Sequence, residues 1–142
     1  MKWITRERVR VDRVSSAWLI LRFVDPDAEF LFAPGDQVMA RAAQEDATPF
    51  HVPATELGQH GDHTGFDAIV AHYKIDDPAV HCLADIIRAA DKKTGGAESA
   101  GLNAIVHGFF LMHLPDEEVL RLEVPVYDAL YVYCRQRVAA AG

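Results

Sequence analysis

The sequence predicts a helix-rich α+β fold: a single compact domain, residues 1–142, with four to six helices and two or three short strands. Three observations carry this reading. Several segments place apolar residues at i, i+3, i+4 and i+7, while β-rich runs are few and short. Half of the residues are apolar, a quarter are charged, and no stretch is repetitive. At 142 residues the chain suits one domain that buries roughly two-thirds of its unfolded surface without staples.

The elements follow in chain order. Asp12 is an N-cap residue type, and Val14, Ala17, Trp18 and Leu21 then keep helical spacing until Asp25-Pro26, where the residue before proline leaves the α region. Ile20 and Phe23 make this helix apolar on several sides, which predicts a helix central to the core with Arg13 pointing outward or into a cleft. Residues 28–33 read as a strand stopped by Pro34-Gly35, residues 36–44 as a short helix, and residues 50–52 as a second strand. Residues 53–65 form a loop rich in glycine, and helical spacing resumes at Phe66, Ile69, Val70 and Tyr73. Asp77-Pro78 starts another helix as N-cap and first residue, with Leu83, Ile86, Ile87 and Ala90 on one face. Asp91 continues the Val80, Ala84 and Ile87 row, so it is expected at the edge of the buried face. Residues 92–96 turn the chain into a helix carrying Leu102, Ile105, Val106 and Phe109. From Asp116 onward a last helical region is expected to break or kink at Pro125.

Charge is uneven along the chain. Six of the fourteen basic residues (Lys2, Arg6, Arg8, Arg10, Arg13, Arg22) lie in the first 22 positions, against Glu7 and Asp12, although the whole chain carries −7. A broad basic face for nucleic acid is therefore excluded, but a local cationic cluster suits a small anion. Cys82 and Cys134 have no CxxC spacing and no secretory segment precedes them, which fits two free thiols in a reducing cytoplasm. No run of about eighteen apolar residues is present, so no membrane span is expected. Phosphate-loop, dinucleotide and nucleophile-elbow motifs are absent.

Taken in order, the segments Thr5-Arg6, Val11-Asp12-Arg13, Ala17-Trp18-Leu19-Ile20, Arg22-Phe23-Val24-Asp25-Pro26, Ala28-Glu29-Phe30, Pro49-Phe50, His60-Gly61, Phe66-Asp67, Asp77-Pro78, Ala90-Asp91, Ala100-Gly101-Leu102 and Tyr127-Asp128-Ala129-Leu130-Tyr131 resemble the C-terminal domain of the chromate-resistance regulator ChrB and its stand-alone relatives. The resemblance covers nearly the whole chain and implies a role in chromate resistance, a stress response. Ser16 and Thr64 stand where the family pattern often carries cysteine. The DNA-binding half of the full-length regulator has no counterpart here, so no nucleic-acid contact is expected of this chain alone.

Two constellations could carry chemistry. A tetrahedral dianion such as chromate or sulfate needs fixed planar donors, which the guanidinium forks of Arg6 and Arg13 supply. Ser16 and the free N–H groups of the following helix would add donors. The alternative for these arginines is a surface ion pair to Glu7 or Asp12. His60 and His63, with Glu56 and Asp62 nearby, suit one divalent transition metal, zinc, iron or manganese, completed by a distant carboxylate such as Asp91 or Glu29. The alternative is a hydrogen-bonded loop histidine, and His51, His72, His81, His107 and His113 are weaker candidates. If Asp91 is half-buried it must be compensated by a cation or a metal, which would bring it beside Arg13. The function expected is binding or sensing of a small oxyanion through Arg6, Arg13 and the His60 loop; the alternatives are a small metal-dependent enzyme acting on an anionic molecule, or a protein-interaction subunit. Self-association into a homo-oligomer stays open.

Overall fold

The computed structural model describes residues 1–8, 11–53, 55–58, 61 and 63–141. Lys2–Arg6 forms β1, the middle strand of a three-stranded parallel sheet, flanked by β2 (Glu29–Ala33) and β3 (Thr48–Pro49). Trp3, Ile4 and Thr5 are all fully buried because both faces of this strand are covered. Trp3 enters the main core, while Ile4 packs with Ala33, Val38 and Ala42 under the helix α2 (Val38–Glu45). A strand buried on both sides carries no polar-apolar alternation, which is why its sequence does not announce it. The strand expected at residues 50–52 lies at Thr48–Pro49 instead. Phe50 still donates its N–H to the Ile4 carbonyl at 3.0 Å, but His51 turns to φ 63°, and the extended run ends.

Between β1 and β2 runs α1 (Val11–Leu19), which continues without a break into a π-helical turn, Ile20–Val24. The helix begins at Val11, so Asp12 lies within its first turn and not ahead of it. Every residue from Val14 to Ile20 is buried, because the helix is surrounded by α3 (Gly65–His72), α4 (Pro78–Asp91), α5 (Ala97–Leu111) and α6 (Asp116–Ala141). Polar anchors fix it. Trp18 Nε1 donates to Asp128 at 2.7 Å, and Arg22 grips the same carboxylate through Nε and Nη2 at 2.9 and 2.8 Å. The Arg22 hydrogen bonds hold the Asp128 carboxyl below its ordinary pKa against the cost of desolvation. The rings of Trp18, Phe23 and Tyr131 pack at centroid distances of 5.4 to 5.8 Å, and the Tyr131 hydroxyl donates to Asp77 at 2.6 Å.

Two helix starts carry side-chain caps. Thr64 and Asp67 form a reciprocal capping box at α3, and Asp77 accepts from the N–H groups of Ala79 and Val80 at α4. Burial opposes ionisation of Asp67, but a two-point grip by Arg88 at 3.1 and 2.7 Å, with the Thr64 N–H, lowers its pKa overall. The helix α6 runs unbroken through Pro125, contrary to the expected kink. Pro125 faces solvent, so the backbone carbonyl it leaves unpaired can be hydrated there. No helix among the described residues is long and apolar enough to cross a membrane.

One core position breaks the apolar pattern. Glu123 is 1% exposed on the buried stripe of α6, between Leu120 and Tyr127, and neither carboxylate oxygen has a hydrogen-bond partner among the described residues. Burial pushes its pKa up to about 8. The unfolded chain ionises this group near the ordinary glutamate value, so between that pH and about 8 it binds fewer protons than the folded chain, and stability falls as pH rises. We expect Glu123→Gln to stabilise the protein at pH 7 by roughly 2–4 kcal/mol and to remove the decline between pH 5 and 8. Urea unfolding of both proteins across that range checks this; parallel profiles would contradict it.

Candidate functional site

The first turn of α1 opens onto a cleft of about 760 Å³ between that turn, the end of α4 and the exposed side of α5. Val11 and Arg13 enter it from α1, His51 from the loop after β3, and Asn103, His107 and Phe110 from α5. The Tyr127 hydroxyl donates to the Val11 carbonyl at 3.0 Å and so pins this turn to α6. Asn103 Nδ2 donates to the Ala90 carbonyl at 2.8 Å, tying α5 to the end of α4. There the chain reverses through Lys93 and Gly95, with φ values of 56° and 87°, which sets Lys93 and Thr94 on the rim beside Asp91.

A second groove adjoins the first and shares Arg13 and Phe110 with it. Arg6 at the end of β1 lies over Gly35, where an added Cβ would come within 3.3 Å of Arg6 Cδ. The Arg8 guanidinium sits 4.8 Å above the centre of the Phe110 ring. His107 is stacked on the same ring, with centroids 6.3 Å apart. Four cationic side chains, Arg6, Arg8, Arg13 and Lys93, thus surround the joined clefts, against the carboxylates of Glu7 and Asp91.

The structure brings some of the sequence-derived residues together and separates others. Arg13 and Asp91 line one cleft, and Arg6 lies next door. Asp91 is exposed, however, and not on a buried edge as its spacing suggested: α4 ends at this residue, and the inward position is taken by Ala90. Its presence beside Arg13 is thus a matter of where the helix ends and not of a buried charge seeking compensation. Ser16 points into the core, its hydroxyl fully buried without a partner among the described residues. Glu29 is exposed at the start of β2, paired in register with Lys2 and so at the opposite end of the sheet from Arg6. Glu56 Oε1 lies 3.1 Å from His72 Nδ1, and His63 lies 3.8 Å from Asp67. His60 and Asp62 fall outside the described residues. Among the described residues, no three His, Cys, Asp or Glu side chains stand close enough to share a metal.

Sequence reasoning ranked His51 and His107 low, yet both face the cleft. A signal for His51 does exist in the chain. Its ring lies so close to Gly65 that a Cβ on that glycine would fall 2.0 Å from both Cδ2 and Nε2. Gly65 therefore serves as the seat of an imidazole at the start of α3, and its place in a glycine-rich loop hid this use among turn signals. The other half of the histidine's position comes from its own N–H, which donates to the Leu57 carbonyl at 2.9 Å.

Fold and clefts together define a helix-rich α+β domain that carries a cation-lined cleft at the first turn of a buried helix. The chain belongs to the ChrB C-terminal domain family, which matches residues 3–134. A curated relative, Protein ChrB of Cupriavidus metallidurans, is 34% identical over 137 residues, covering 93% of this chain and 40% of that protein. The chain thus spans well under half the length of that relative. No solved structure matches it.

The close seat of His51 yields a direct test. Gly65→Ala must push the ring out of its place, because the added Cβ would fall 2.0 Å from its Cδ2 and Nε2. We expect a loss of roughly 1–3 kcal/mol and a shifted His51 ring resonance. An unchanged His51 spectrum and melting temperature in that variant would show that the ring is not held there.

Proposed function

We propose that the cleft at the first turn of α1 holds a small oxyanion, chromate or a sulfate-like dianion, and that the domain serves as a binding or sensing module in chromate resistance. The observation that carries this reading is the position of Arg13. It is half-buried at the start of a helix whose body is enclosed by four others, with Arg6 and Arg8 in the adjoining groove. A fixed guanidinium presents a planar two-point donor that stays charged at all relevant pH, which suits an oxyanion better than a flexible ammonium does. Lys93, the Asn103 and Thr94 side chains and the two histidines supply further donors around the same space. Membership of the ChrB family supports chromate as the first anion to test.

Binding to the folded state alone raises its stability by RT ln(1 + [L]/Kd). At a hundredfold excess over Kd the gain is about 2.7 kcal/mol, which for a chain of this size moves the melting temperature by roughly 8 °C. We expect chromate or sulfate to produce a saturable shift of this kind, Arg13→Ala to abolish it and Arg6→Ala to weaken it. Arg13→Lys should keep only part, because a point charge replaces the fork. The same anion-dependent shift in Arg6→Ala and Arg13→Ala as in the wild type would overturn the reading.

A further inference from the structure

The cleft uses neither cysteine, and the sequence separates them widely. The fold brings them together. Cys82 lies in the second turn of α4, part-exposed in a shallow groove that it shares with Ile86, Arg137 and Val138. Cys134 is fully buried on α6. The register is fixed by its neighbours: Tyr131 reaches Asp77 at the start of α4, and Arg137 and Val138 border the same groove as Cys82 and Ile86. The two helices therefore run side by side in one direction, with Cys134 level with Cys82. Burial, and after it the neighbouring Cys82 thiol, raise the pKa of Cys134. Arg137, paired with Glu98 at 2.8 Å, acts electrostatically on Cys82. A part-exposed thiol beside a cation is the environment in which cysteines are oxidised, whereas a buried thiol is inert until its partner is activated.

We propose that Cys82 and Cys134 form a reversible intrachain disulfide that staples α4 to α6, with Cys82 as the point of attack. With a hydroperoxide as oxidant, the Cys82 sulfur attacks the terminal peroxide oxygen. The O–O bond breaks, and Cys82 becomes a sulfenic acid while water or an alcohol leaves. The Cys134 sulfur then displaces the hydroxyl from Cys82. The S–S bond forms, the S–O bond breaks, and the Cys134 proton leaves with the hydroxyl as water. Two electrons pass from the thiol pair to the peroxide, and a dithiol returns them by exchange. The bridge requires the two backbones to come within about 4.4–6.8 Å at Cα, which adjoining helices can meet with a small approach. Because it closes a long loop in the unfolded chain, it should raise the melting temperature.

The test is oxidation of the full chain with a few equivalents of hydrogen peroxide. The proposal expects a mass lower by about 2 Da, loss of both alkylatable thiols, a peptide pair joining residues 82 and 134, and reversal by dithiothreitol. In Cys134→Ala the reaction should stop at a sulfenic acid on Cys82 that dimedone traps, and in Cys82→Ala Cys134 should stay reduced. Should either variant fail to fold, the peptide map of the wild type decides alone. Two thiols that remain fully alkylatable, or a bridge that joins Cys82 of two chains, would overturn it.

Discussion

Helix α1 has no solvent face from Val14 to Ile20, and this burial governs the placement of everything else. A helix enclosed on all sides must be covered by several partners, and α3, α4, α5 and α6 each supply one. Sliding or rotating it would drive Trp18 out of its pocket and break the Asp128 contacts shared with Arg22. The buried Trp18 N–H would then lose its acceptor, which costs more than the exposed Arg22–Asp128 pair contributes by itself. The consequence for function is simple. The body of the helix is spent on packing, and only its first turn borders a cleft, where Arg13 emerges beside Val11; this is why the proposed anion site is placed there.

The cationic cluster gains its meaning from this arrangement. Along the sequence it is an excess of arginines near one end, which on an exposed terminus would be worth little. In the fold, Arg6 ends the central strand, Arg8 lies on Phe110, and Arg13 opens the buried helix, so three charges that could diverge are fixed around neighbouring clefts. The acidic balance of the rest of the chain is carried on other surfaces, among them Asp67 and Asp85 on Arg88, Asp128 on Arg22 and Glu98 on Arg137. Except for Asp85–Arg88, which lies within α4, those ion pairs join separate elements, and they lie away from the clefts lined by Arg6, Arg8, Arg13 and Lys93.

The parts of the fold legible in the sequence are those whose signal is local. Asp77-Pro78 announces α4, and the spacing of Leu102, Val106 and Phe109 announces α5. The helical spacing from Phe66 announces α3, although the Thr64 and Asp67 capping box that starts it goes unread inside the glycine-rich loop. What escaped depends on distant context. The strand Lys2–Arg6 is readable only once helices cover both its faces, and the π turn at Ile20–Val24 only once Trp18 and Arg22 have found Asp128. Pro125 was read as a breaker because nothing local says that its side of α6 meets water. The site divides in the same way. Arg13 and Arg6 were visible as cations beside an apolar helix, whereas His51 depends on the bare backbone of Gly65, and Asn103 and His107 on the angle at which α5 crosses the end of α4. Family membership was legible in the motifs, since residues 3–134 match as one unit.

If Arg13, held at the start of the buried helix α1, anchors an oxyanion, bound chromate must lie against it. A crystal structure of the protein grown with chromate, with the metal located by its anomalous scattering, tests it most directly. A chromium peak is expected in the cleft, with the chromate oxygens about 2.7–2.9 Å from the Arg13 guanidinium nitrogens. A peak bound elsewhere on the surface, or an Arg13 cleft left without one at saturating chromate, would contradict it.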